Sequence, residues 1–341
     1  MNIWNISFEE LEKIIEKHLN NFNISNSENF FKEDLKWKKL AEIRECLKNN
    51  NLLNLSESKS FNKRLKIKWW ELFCRLEEII DFSFFSIKEW QDHIDKSNIK
   101  NDVLIKLHAR LILLSREILT LLQNWFWEWA NARWRSLYET SVIIKFISDN
   151  NNDVSLRFTE HKSIYNYKEA ENYKKHYKRL RHKSYWSENL KNLEVEKNTL
   201  LKKYWKSFLK DYWWIPDEIS KNKNFSQIEK LVDMFHFSPY FKLASRGVHS
   251  GAKSFDNLWT IDDDMLLIWP SNIWLADPLQ NTSLFLLKST IFILTDFAKQ
   301  NDDYSNKIIL LYLGKVITAL EKNFWQQALE VESKILKHEF N

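Results

Sequence analysis

Ser245 and His249 stand four residues apart in "SRGVHSG" (245–251), between and beside Gly247 and Gly251. If helical geometry runs through Gly247, the two side chains share a face one turn apart. If Gly247 caps a helix instead, His249 sits in a short loop ending at Gly251. An imidazole, with a reference pKa of about 6.5, suits proton transfer at neutral pH, and a serine hydroxyl beside it can donate to a phosphate. Glycine costs about 1 kcal/mol in a helix interior relative to alanine. Spending two of only three glycines here therefore implies close approach by a helix, a ligand or a phosphate.

A second polar set lies upstream. Arg135 and Glu139 are one turn apart, and Asp153 and Arg157 follow the "NNND" break with the same spacing. Together these residues have the makings of metal-independent RNA cleavage or a related phosphoryl transfer. His249 is then the general base or acid, Arg135 or Arg157 offsets the charge developing on phosphorus, Glu139 orients an Arg or the His, and Ser245 holds a phosphate. The competing reading is a non-catalytic helical module that binds RNA, a nucleotide or a protein. There Arg135, Glu139, Ser245 and His249 form a buried network that sets helix register.

The elements that must position these residues are helices. From about Asp102 to Asp149 an apolar line at alternating steps of four and three passes through Leu107, Leu111, Leu114, Ile118, Leu121 and Trp125. Continued on that step, it reaches Arg135, Glu139, Val142 and Phe146 and so predicts one long helix with an Arg and a Glu on its inward line. Drift of about 20° per heptad offers the alternative, an exposed i,i+4 pair at the surface. Asp153 opens the next helix, and Arg157 is expected to reach back to the same polar site. Ser238-Pro239 and Asp277-Pro278 each predict a helix start, an N-cap followed by proline in the first turn.

Composition agrees with an all-α chain, an elongated helical bundle with long antiparallel helices. Average usage would supply about 24 glycines and about 17 prolines, whereas the 341 residues hold 3 and 4, so tight turns are expected to be scarce. Two parts are expected: an N-terminal helical section, 1–100, and a main bundle, 101–341, carrying the polar site. Cys46 and Cys74 lie in amphipathic runs without CxxC or neighbouring His, which supports neither a zinc site nor a disulfide framework. The N-terminal "MNIWNISFEELEKIIEKHL" is acidic where a signal peptide would be basic, and its Ser7/Glu10 spacing fits a capping box. The most apolar runs are short and charged, so no membrane span is expected and the location expected is cytoplasmic. No phosphate-binding Gly-rich loop, HExxH, EF-hand loop or GxSxG is present. "DDDM" (262–265) reads as a solvated loop, and neither metal nor cofactor is expected.

Between Lys162 and Lys210 the chain carries 14 Lys and Arg against 5 Glu, a net charge of +9 where the whole chain has +5. Tyrosines and tryptophans are interleaved through it. Lys174, Lys175, Lys178, Arg179 and Arg181 can neutralise phosphates while Tyr185 and Trp186 stack on unpaired bases, which makes RNA or another nucleic acid the expected partner. The alternative is two solvated helices with a packed aromatic stripe. A second copy of the chain or another protein is the further partner considered.

"RSLYETSVIIKFI" (135–147), Asp153 with Arg157, and "YFKLASRGVHSG" (240–251) resemble the bacterial helical family known as domain of unknown function 5677. The resemblance spans about 105–300. It implies that Arg135 and Glu139, Asp153 or Arg157, and Ser245 with His249 form the family's polar site, and it implies no reaction. A weaker similarity is to the helical ribonucleases of the higher eukaryotic and prokaryotic nucleotide-binding superfamily, which place four to six residues between an Arg and a following His. Here two residues separate Arg246 from His249 and three separate Arg157 from His161, so neither pair keeps that spacing.

Overall fold

A computed structural model describes residues 63, 68–88, 95, 97–181, 187–245, 248, 252, 274–300, 324 and 326–335. The chain divides into two compact units, Met1–Leu65 and Lys66–Asn341. Helix α1, residues 68–88, belongs to the second. It is followed by α2 (Ile99–Gln123), α3 (Trp127–Asp149), α4 (Asn152–His176), α5 (Ser187–Tyr204), α6 (Phe225–Leu231), α7 (Ser238–Ala244), α8 (Ala276–Gln300) and α9, residues 326–335. The described residues are all-α, with short 3-10 turns at Lys206–Leu209 and Phe235–Phe237 and no strand.

The long helix expected over 102–149 is two helices. α2 stops at Gln123 and α3 starts at Trp127. At the corner the Trp125 N–H donates to the Leu122 carbonyl and the Phe126 N–H to the Leu121 carbonyl, both at 2.9 Å. That is a Schellman closure, with Trp125 at φ 66° in the position that usually takes glycine. Apolar periodicity passes through the corner unbroken because both helices bury a face in the same core, so the pattern contains no break. Leu111, Leu114, Ile118 and Trp125 are buried as the seam predicts.

α2, α3 and α8 form the centre. Ser141 and Ser289 Oγ atoms lie 2.6 Å apart, so small residues let α3 and α8 approach closely. Lys100 Nζ donates to Asp296 Oδ1 at 2.6 Å and to the Ser148 carbonyl at 2.8 Å, joining all three helices through one buried ammonium. Taking either charge away alone would cost about 3–5 kcal/mol. His108 Nε2 lies 3.2 Å from Thr290 Oγ1 in the same core. α1 adds Phe73 against Trp125, ring centroids 5.8 Å apart, and Asp81 to Arg116 at 2.7 Å.

Around Tyr138 of α3 the rings of Trp134, Phe225, Phe237, Phe241 and Phe285 close at 5.0–6.4 Å, fastening α6, α7 and α8 to α3. The Tyr138 hydroxyl donates to Glu229 Oε1 at 2.7 Å, with the Met234 carbonyl 2.9 Å away. α7 begins at Ser238, one residue earlier than the cap predicted there: Phe237 is the N-cap, without a side-chain cap bond, and proline occupies the first turn. α4 starts as expected, its Asn151 side chain accepting from the Val154 N–H. α4 then packs on α5 and on α2.

Candidate functional site

Arg135 and Glu139 lie on the flank of α3's buried stripe. Arg135 Nη2 is 3.2 Å from Glu139 Oε1, and the side chains are 28% and 37% exposed, so the pair is neither in the core nor fully solvated. The Arg135 guanidinium stands 4.8 Å over the Phe241 ring of α7. Its Nε is covered and has no hydrogen-bond partner among the described residues. Burial pushes the Glu139 carboxyl above its ordinary range, and the neighbouring guanidinium pulls only part of the way back.

Opposite this pair, α4 holds an irregular segment in place. Arg157 Nε donates to the Trp214 carbonyl at 2.9 Å, and Arg157 stacks 4.6 Å over Tyr204. One turn on, His161 Nε2 lies 2.9 Å from the Phe208 carbonyl and 3.2 Å from that of Lys210. Carbonyls only accept, so Nε2 carries a proton. Burial lowers the proton affinity of the ring, and the same two carbonyls raise it in part. Two turns further, Lys168 pairs with Asp211 at 3.2 Å. The segment so held places Tyr212 at φ 63°, a left-handed backbone for an aromatic residue.

These elements enclose an open cleft of about 760 Å³. α2 contributes Asp102, Lys106 and Arg110, α3 contributes Ser136, Glu139 and Thr140, and α4 contributes Phe158, His161, Lys162 and Tyr165. Tyr212, Trp214 and Phe225 close the remaining side. Lys106 is paired with Asp102 at 2.6 Å. Among the described residues no carboxylate lies within ion-pair distance of Arg110 or Lys162. Burial, and then the charge of Glu139, pushes the Tyr212 phenol up to about 12. Burial and Asp211 raise Tyr165 as well. Among the described residues no three His, Cys, Asp or Glu are grouped to hold a metal ion.

The residues picked out in the sequence are distributed unequally over this geometry. Glu139 faces the cleft and Arg135 stands behind it. Arg157 spends its Nε–H on the Trp214 carbonyl, and Ser245 donates its hydroxyl back to the Phe241 carbonyl at 2.8 Å. His249 lies outside the described residues, as do Tyr185 and Trp186. Lys174, Lys175, Lys178, Arg179 and Arg181 are exposed at the far end of α4 and in the turn after it. The sequence brings up His161 only to set it aside on its spacing from Arg157, and it does not single out Tyr212. His161 sits one turn after Arg157 on the same helix, a spacing that marks it in retrospect, whereas nothing in "KDYWWIP" distinguishes Tyr212 from its neighbours.

No curated protein and no solved structure matches the chain. One family model does, over residues 101–266. Every residue lining the cleft falls within that range. The segment that builds the cleft, residues 101–266, matches the model of the Family of unknown function (DUF5677).

Proposed function

We propose that the cleft takes a segment of RNA and that the protein cleaves it by metal-independent acid–base phosphoryl transfer, an activity of the kind a toxin or an antiphage effector uses. The supporting observation is Glu139, a carboxyl lifted by burial, opening on a cleft with unpaired cations at its rim. A carboxyl raised above its ordinary range is a better proton acceptor than an unperturbed one. Arg110 and Lys162 suit phosphates, and the rings of Phe158, Tyr165 and Tyr212 suit bases. In this scheme Glu139 takes the proton of the attacking 2′-hydroxyl. The sequence candidate His249 protonates the departing 5′-oxygen. Arg135 acts through Glu139.

A polymer is favoured over a mononucleotide because the cations continue along α4. Lys162 and Lys174 are separated by about 18 Å of helix, and Lys178, Arg179 and Arg181 lie beyond, none of these five with a carboxylate partner among the described residues. One observation favours the second reading, a binding module. The Arg135 guanidinium stacked on Phe241 ties α3 to α7, as a structural network would.

Incubating total RNA with wild type, Glu139→Gln and His249→Ala, each with and without EDTA, decides between them. Cleavage by wild type that survives EDTA and falls at least about 100-fold in Glu139→Gln is expected. RNA bound but left intact by every sample would establish the binding module. Cleavage lost on chelation would overturn the metal-independent scheme.

A further inference from the structure

We propose that Tyr212 is the oxyanion donor of this cleft, its phenolic O–H donating to a charged phosphate oxygen of the RNA. The assignment rests on the cleft binding RNA, as argued above. Tyr212 lines the cleft, and no hydrogen bond to another described residue occupies its hydroxyl. Its ring is set by Phe225, with centroids 6.4 Å apart.

The backbone at this residue is held in a costly conformation from several directions. Tyr212 has φ 63°, where a side chain with a Cβ pays a steric cost that the surroundings must over-determine. The surroundings do so. The Trp213 N–H reaches the Lys210 carbonyl at 3.2 Å, and the Ile215 N–H reaches that of Tyr212 itself at 3.1 Å. From α4, Arg157 holds the carbonyl of Trp214, His161 those of Phe208 and Lys210, and Lys168 the carboxylate of Asp211. Three polar side chains of one helix are thus spent on aiming one loop residue. They are positioning residues, and Tyr212 is the group they present.

The chemistry of the position fits a donor rather than a base. Burial first, and then Glu139, Tyr165 and Asp211, keep the phenol protonated against the opposing charge of Arg135. A neutral O–H held beside a developing negative charge gains more in the transition state than in the ground state, because the donor needs no reorganisation when the charge appears.

The test compares Tyr212→Phe with wild type in single-turnover cleavage of an RNA oligonucleotide and in binding of its uncleavable 2′-O-methyl analogue. The variant keeps the ring and its packing. A rate lower by about 100-fold, with affinity for the analogue within about twofold, is expected. An unchanged rate would overturn the proposal, as would a loss of binding together with melting temperature. His161→Gln, which keeps an N–H for the two carbonyls, is expected to retain the rate that His161→Leu loses. Equal rates in those two variants would overturn the positioning role. Should wild type not cleave, the reaction proposed above falls, and the ring carbon resonance of Tyr212 decides separately. That resonance, assigned by its absence in Tyr212→Phe, must shift when the analogue is added, and no shift would overturn the donor.

Discussion

At the scale of single residues, the environment of a charge matters more here than its identity. Glu139 and Glu229 are both raised by burial, yet their neighbours differ. Glu229 accepts from Tyr138 inside the core and serves packing, while Glu139 opens on the cleft with a guanidinium behind it. Arg135 lowers the proton affinity of Glu139, so removing that charge lifts it further. In Arg135→Gln the acid limb of the cleavage rate, governed by deprotonation of Glu139, is therefore expected to move to higher pH than in wild type. A pH–rate profile of the two proteins checks this, and an unmoved or lowered limb would show that Arg135 does not act on Glu139.

At the scale of elements, the described corners are turned without glycine. Trp125, Arg181, Trp205, Tyr212, Asp233 and Trp274 all have positive φ. The scarcity of glycine predicted few tight turns, but the turns are there, and backbone hydrogen bonds offset their steric cost. α6 ends as α2 does: the Asp233 N–H reaches the Lys230 carbonyl at 3.3 Å and the Met234 N–H that of Glu229 at 2.8 Å. Asp233 is exposed, takes a position that glycine prefers, and puts a negative charge at the negative end of a helix. Asp233→Gly is expected to stabilise the protein by about 1 kcal/mol, read as a higher urea midpoint. A lower midpoint would show that the aspartate makes a contact that outweighs both effects.

At the scale of the whole molecule, the bundle carries buried groups that make its stability depend on pH. His108, fully enclosed between α2 and α8, is lowered by burial to about 4 from 6.5. Its folded pKa lies below its unfolded one, so between those values the unfolded chain binds more protons and stability falls as pH falls. The full effect approaches about 3 kcal/mol near pH 4. Asp277 and Glu332, raised by burial, act with the opposite sign, and a direct comparison isolates the histidine. Urea unfolding of wild type and His108→Gln from pH 7 to pH 4 is expected to show wild type losing stability relative to the variant. Parallel curves would mean that His108 is protonated in the folded protein.

What was legible in the sequence was whatever depends on near neighbours along the chain. The all-α class, the buried seam of α2, the opening of α4 near Asp153 and the i,i+4 pairing of Arg135 with Glu139 all follow from spacing on a helix. The corner at Trp125 was not legible, because α2 and α3 bury faces in one core and the apolar period runs on through the break. Nor was Tyr212 legible as a cleft residue. Its placement depends on Arg157, His161 and Lys168 meeting carbonyls and a carboxylate some forty to sixty residues away. Only the tertiary structure decides such contacts. Helical periodicity tells which side of a helix faces inward, but a loop has no period, and its conformation is set by what the rest of the fold holds against it.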